Sequence, residues 1–408
     1  MQIPENAQMI IQTLNEAGHE AYVVGGCVRD ACLGRVPQDW DITTSALPSE
    51  VKALFRRTVD TGIKHGTVTV MIGKTGYEVT TYRVDGAYHD GRHPDAVTFT
   101  GSLAEDLKRR DFTINAMAYH PENGLVDLFD GQGDLKKGLI RAVGEPAERF
   151  SEDALRMLRA VRFAAQLGFG IEEKTKQAIR ELSPSIEKIS EERIREELTK
   201  LLLSARPEFL ELAIETGITA VVLPEADAAG EKRAGAYRAI RSLKETFAGT
   251  EKEKTALIYA LLLAENGAAE AVRRLKFDNE TIAAVEMLTQ NREMTFAEDP
   301  VQARRWLNRL GEENLRLTFA YHRAWIAGYG LAEALAPVEA GERAVRQVLD
   351  AGDCYDLKHL AVKGADLIAE GYAPGRELGE ILAKLLDAVI EDPSLNEKET
   401  LLCIAREL

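Results

Sequence analysis

The chain has 408 residues, 45% of them hydrophobic and 29% charged, with a formal net charge of −15. Such proportions match ordinary globular proteins and exclude a chain dominated by disorder or by membrane-spanning segments, while the length asks for several packed units. The acidic balance means that the whole-molecule field repels polyanions, so nucleic-acid binding has to come from local basic surface.

Met1-Gln2-Ile3-Pro4-Glu5 lacks a basic region followed by an apolar run, and the longest apolar stretch, residues 256–264, is too short to span a bilayer. A cytoplasmic protein with no membrane association is therefore expected. Cys27, Cys32, Cys354 and Cys403 show no C-x-x-C spacing, which points to reduced, packed thiols and away from a disulfide framework or a thiolate zinc site. Up to about residue 143, β-rich runs at 21–24, 67–72, 77–84 and 125–129 alternate with helical segments and Gly-rich turns, the pattern of an α/β or α+β head. From Ser151 onward strand signals nearly vanish and capped amphipathic helices follow one another. Breaks between helical units are expected at Ser183-Pro184-Ser185, at 226–235 and at Glu298-Asp299-Pro300. No fixed-period repeat is evident.

Residues 21–24 read as a buried strand running into Gly25-Gly26 and then a short helix carrying Arg29. Two glycines let a backbone approach a triphosphate closely, and the helix start offers free N–H groups to phosphate oxygens. Asp39-Trp40-Asp41 follows. In a strand, that i, i+2 spacing puts both carboxylates on one face, where they repel unless a cation lies between them. Hard oxygen ligands favour Mg²⁺, and a second ion sharing one carboxylate gives the clamp used for in-line attack at phosphorus. Glu78, in a run that otherwise suits a half-buried strand, is the expected third carboxylate. Taken singly, a Gly-Gly pair is commonly only a tight turn and such acids commonly lie on the surface. Their order within one stretch favours a metal site at Asp39 and Asp41.

These residues resemble the class II tRNA nucleotidyltransferases and their relatives, the bacterial poly(A) polymerases. Gly25-Gly26-Cys27-Val28-Arg29-Asp30 with Asp39-Trp40-Asp41 is similar to the family's metal-holding first motif, and Lys108-Arg109-Arg110-Asp111-Phe112-Thr113-Ile114-Asn115-Ala116 to its second, which implies that Arg110 contacts the incoming nucleotide. Phe129-Asp130-Gly131 with Asp134-Leu135 resembles the third, a hinge between head and neck. Residues 151–163, including Asp153, Arg156, Arg159 and Arg162, resemble the fourth, a nucleotide-selecting helix, and residues 190–198 a fifth that braces it. The resemblance implies an α+β fold. A polymerase-β-like nucleotidyltransferase head with a mixed sheet (1–146) would precede an all-helical neck (147–210), body (211–300) and tail (301–408). It also implies CCA addition to the 3′ end of tRNA from CTP and ATP, with Mg²⁺, and no protein partner is evident. Poly(A) synthesis, addition of a terminal A alone, and an inactive RNA-binding protein are the alternatives.

Asp153 and Arg156 stand three apart near a helix start, where they are neighbours. Cytosine and adenine each offer an amino donor beside an acceptor nitrogen, which an accepting Asp and a donating Arg satisfy, whereas uracil and guanine present the reverse. A local ion pair is the competing reading. Arg159 and Arg162 continue at three-residue steps, each turning about 60° backwards, so Arg162 is expected to point away from Asp153, and helix bracing competes with nucleotide contact as its role. Arg29, Arg110 and Arg159 are expected to neutralise triphosphate charge. Residues 85–101 read as a mobile loop whose intact length, by the resemblance, favours adding the final A. His89-Asp90 has no partner pattern for a metal phosphohydrolase, and His93 stands where many relatives carry arginine. Further on, Arg304-Arg305-Trp306 with Arg309, Arg273-Arg274 with Lys276, and the helix opening at Gly371-Tyr372-Ala373-Pro374-Gly375-Arg376 are candidate phosphate contacts or solvated helix faces. Trp306, Trp325 and Tyr329 read as core.

Overall fold

A computed structural model describes residues 1–85, 97–228 and 232–408. They form two compact units, Met1–Asp227 and Ala228–Leu408, so the division falls inside the segment expected as the body.

The first unit runs α1 (Glu5–Glu16), β1 (Ala21–Val24), α2 (Gly26–Cys32), β2 (Ile42–Thr44), α3 (Pro48–Leu54), β3 (Thr58–Gly62), β4 (Thr67–Ile72), β5 (Thr75–Thr81), β6 (Arg83–Asp85), β7 (Val97–Phe99), α4 (Leu103–Lys108), β8 (Met117–His120) and β9 (Gly124–Asp127). There follow α5 (Gly131–Lys137), β10 (Leu139–Ile140), α6 (Pro146–Glu152), α7 (Leu155–Leu167), β11 (Gly170–Ile171), α8 (Glu173–Leu182) and α9 (Glu191–Leu202), with short helices beyond. Seven strands make one mixed sheet in the order β3-β4-β5-β2-β1-β8-β9. Its parallel pair is β2 and β5, in register Ile42↔Val79, and its other pairs are antiparallel. The expected α+β head is thus a mixed sheet, followed by helices.

Local pattern explains these elements. In α1, Ala7, Ile10, Ile11 and Leu14 recur at helical spacing and are all buried. In β5, Tyr77, Val79 and Thr81 are buried while Gly76 and Glu78 face outward, the period-2 alternation of a half-buried strand. The β-branched centre of the sheet, Val23, Ile42, Val68 and Val79, is fully buried and holds the strand ends beneath the cleft in place. Residues 97–99 pair with 83–85 as β7 on β6; residues 86–96 of the expected mobile loop, including His89, Asp90 and His93, lie outside the described residues.

The second unit contains helices and no strand among its described residues. Its longest helical run, Pro300–Tyr329, starts on the Asp299 cap and is broken at Gly311, whose φ of 73° lies in the left-handed region that glycine tolerates. Phe296, Trp306 and Phe319 pack together, so Trp306 is core as expected, while Trp325 and Tyr329 are half-buried and stack on each other at 4.1 Å. The candidate basic patches are largely spent within the fold. Arg304 is buried and ties to the Ile390 carbonyl and Asp353, Arg305 pairs with Glu391, and Arg273 pairs with Glu286. Arg376, exposed behind Gly375, pairs with Glu380. All four cysteines are free, and no described helix is long and apolar enough to cross a membrane.

Candidate active site

β1 hands the chain to Gly25, whose φ of 82° only glycine adopts without strain. Its N–H donates to the Met117 carbonyl at 3.1 Å, and a Cβ at this position would stand 3.1 Å from an Arg110 guanidinium nitrogen. Gly26 opens α2, which carries Arg29. Arg29 donates twice to Asp30, at 2.9 and 3.0 Å, and once to the Asn115 side-chain oxygen at 2.8 Å.

Asp39 and Asp41 line the same cleft, of about 710 Å³, but they precede β2 and are not part of it. The expectation that a strand aligns them is therefore corrected: residues 35–41 are irregular, and the ladder reaches back only to the Asp41 carbonyl, which accepts from the Val24 N–H at 3.0 Å. The Asp41 carboxyl is held above its usual range by burial, then by the nearby charges of Glu78 and Asp39, with Arg110 pulling it back down. A group of acids whose mutual repulsion outweighs the local counter-charge suits a hard divalent cation. Glu78 is different. The β2–β5 register sets it beside Asp41, yet its side chain is exposed and does not line the cleft, and no set of three His, Cys, Asp or Glu among the described residues gathers into a metal site. The structure brings the two aspartates together in the cleft and places Glu78 next to Asp41, close enough for its charge to act on that carboxyl.

Arginines line the same cleft. Arg110 donates to the fully buried Asp106 at 3.2 Å, and its Nε is buried with no partner. Arg159 donates twice to Asp111, at 3.0 and 2.6 Å, while Asn115 donates to the same carboxylate at 3.1 Å. Burial would raise the Asp111 pKa, but the Arg159 charge and these hydrogen bonds outweigh it and hold the carboxyl at about 2. Arg29, Arg159 and Arg162 gather on the Phe163 ring, at 5.1, 5.4 and 3.8 Å from its centroid.

Three family models match the chain: Poly A polymerase head domain over residues 21–141, Probable RNA and SrmB-binding site of polymerase A over 168–229, and tRNA nucleotidyltransferase domain 2 putative over 246–405. A curated CCA-adding enzyme of Enterococcus faecalis is 41% identical over 99% of this chain and 96% of its own length, and one of Lactiplantibacillus plantarum is 40% identical over 98% and 95%. The chain belongs to the CCA-adding enzyme family. Among solved structures it is similar to the Bacillus stearothermophilus CCA-adding enzyme in complex with CTP, with a TM-score of 0.81 and 34% identity over 100% of this chain and 98% of that one. The Thermotoga maritima CCA-adding enzyme complexed with tRNA shares the fold, with a TM-score of 0.65 at 22% identity over 99% and 96%.

For a CCA-adding family member, the neck residues are the informative ones, and here two expectations are corrected. Asp153 is not on a helix: at φ −144° it ends α6, and its Oδ1 accepts the Leu155 N–H at 3.1 Å to start α7. Helical-wheel arithmetic does not apply across this elbow, so Asp153, Arg156, Arg159 and Arg162 all line one cleft. Nor do Asp153 and Arg156 pair with each other. Asp153 pairs with Arg193 of α9 at 2.7 Å, and Arg156, buried, pairs with Glu152 at 2.6 Å and donates to the Arg149 and Arg109 carbonyls at 3.0 and 3.1 Å. Arg162 bonds Glu197 of α9, so a brace there is real whatever else it touches. Asp111, Asn115, Arg193 and Glu197 were not singled out by residue chemistry, although each falls inside a motif stretch.

Proposed function

We propose that the chain adds C, C and A in turn to the 3′ end of tRNA, drawing on CTP and ATP without a nucleic-acid template and releasing pyrophosphate. The observation that carries this is a count of unspent hydrogen-bonding capacity at the elbow. Arg156 commits three of its five N–H groups to Arg149, Glu152 and Arg109, which leaves two donors. The Asp153 carboxylate, with about four acceptor sites, commits three to Leu155 and Arg193, which leaves one acceptor. One acceptor beside a donor matches the amino group and adjacent ring nitrogen of cytosine and of adenine, and opposes uracil and guanine.

Asp39 and Asp41 would hold Mg²⁺, which when bound activates the 3′-hydroxyl and neutralises charge at phosphorus. The chain's own part is positioning. Gly25-Gly26 leaves room for phosphate at the start of α2, and Arg110, whose Nη1 lies beside Gly25, would neutralise its charge together with the partly spent Arg29 and Arg159. The 3′-hydroxyl attacks the α-phosphate and pyrophosphate leaves. We assign residues 1–146 to the catalytic head, 147–210 to nucleotide selection, and 211–300 and 301–408 to a body and tail that hold the tRNA, in the cytoplasm, where four free thiols suit the reducing compartment.

The test offers the chain tRNAs lacking one, two or three terminal nucleotides together with each NTP. Stepwise CMP, CMP and AMP incorporation is expected; A-only extension, long A tails or no transfer would replace the proposal. Asp39→Ala and Asp41→Ala should each abolish Mg²⁺-dependent incorporation without lowering Tm, because each removes a charge that repels its neighbours.

A further inference from the structure

We propose that Arg193 of α9 determines base specificity by holding the Asp153 carboxylate in a single orientation with a single free acceptor; this rests on Asp153 reading the base. The Arg193 guanidinium straddles the carboxylate, donating to Oδ2 at 2.7 Å and to Oδ1 at 3.3 Å. Among the described residues, only the Leu155 N–H, at 3.1 Å to Oδ1, restrains the group without that fork. The terminal torsion of Asp is broad and two-fold, so a carboxylate held at one oxygen turns readily. It also regains the two acceptor sites that Arg193 occupies.

Selectivity depends on that restraint. A fixed lone pair faces a carbonyl oxygen of uracil or guanine with nothing to relieve the clash, whereas a free carboxylate swings aside and tolerates it. Arg193 itself lines the cleft alongside Asp153, so no relay through the core is needed. Because α9 contributes Arg193 to Asp153 and Glu197 to Arg159 and Arg162, one helix sets the position of three side chains on the nucleotide wall. Arg193 is thus a positioning residue that acts through Asp153. Lysine would supply the charge but not the two parallel N–H donors.

The experiment measures incorporation of all four NTPs by the full chain onto tRNA lacking its 3′ end, for Arg193→Gln, Arg193→Lys, Asp153→Ala and the Arg193→Gln/Asp153→Ala double variant. Arg193→Gln should raise use of UTP and GTP relative to CTP and ATP about tenfold, Arg193→Lys should fall between it and the parent, and the double variant should be no more permissive than Asp153→Ala alone. A brace with only a structural role would lower Tm in both Arg193 variants and leave the NTP ratios unchanged, which overturns the inference. If Asp153→Ala relaxes selection and a folded Arg193→Lys does not, Asp153 still reads the base and Arg193 does not tune it. If Asp153→Ala also keeps the parental ratios, the base-reading proposal falls and the role of Arg193 falls with it.

Discussion

Asp111 shows how a buried acid is made useful in this cleft. It is 8% exposed, and its carboxylate is surrounded by Arg159, Asn115 and its neighbour's N–H. Its pKa falls from an ordinary 3.8 to about 2 in the folded chain, so the native state favours the ionised form. A lowered pKa contributes stability that is complete above the unfolded value and is lost as pH drops through the folded one. The window is therefore about pH 4 down to about pH 2, and the contribution is ~2 kcal/mol. Asp111→Asn should unfold at lower urea concentration near neutral pH by about that amount, and its midpoint should fall less steeply than the parent's across the window. Parallel pH profiles of parent and variant would contradict this. Asp111 was legible only as part of a motif string: nothing in an Arg-Arg-Asp run says which arginine a distant helix will direct back onto the aspartate. Gly25, Gly26 and Arg29, by contrast, follow from residue type and local order, because a strand, a glycine turn and a helix start are short-range structures, whereas Arg110 was read only through the family resemblance.

The elements that matter most are α7 and α9, and the elbow before α7. The reading of 151–163 as one helix fails at Asp153, where no glycine or proline marks the break. The signal that was present is chemical. Aspartate favours bonding a backbone N–H two residues on, and it does so here with Leu155. Between the two helices lies the Arg162–Glu197 pair, both members buried, with burial lowering the Arg162 pKa while Glu197 opposes it. Removing one partner strands a buried charge, so Glu197→Gln should cost on the order of 3 kcal/mol, whereas Arg162→Met with Glu197→Leu should cost far less. Thermal unfolding of both variants checks it, and equal losses would show that the pair is not isolated. In the helices beyond, basic runs predicted surface and delivered Arg304 buried as a strap, because its partners, the Ile390 carbonyl and Asp353, are 86 and 49 residues away and leave no local trace.

For the whole molecule, the contrast of scale is electrostatic. The chain carries −15, yet eight cationic side chains and four acidic ones line the cleft. The triphosphate is drawn inward by a local positive well within a repelling envelope, so capture depends on the cleft and not on the molecule's overall charge. That the mixed sheet and helical remainder were readable from pattern while this well was not follows from the same contrast: periodicity survives in a linear sequence, but a field is a sum over residues from Arg29 to Lys200 that only folding brings together. The well also acts on what leaves. Pyrophosphate is smaller than the triphosphate and keeps most of its charge without a base or sugar to be expelled, so the cations that speed entry retard exit. Turnover is then expected to be limited by product clearance, with run-back of the reaction competing with each next addition. Adding a pyrophosphatase should raise the rate of multiple addition more than the rate of the first, as single- and multiple-turnover assays would show. A chain built this way depends on its surroundings to drain the by-product and so to give the three additions their direction.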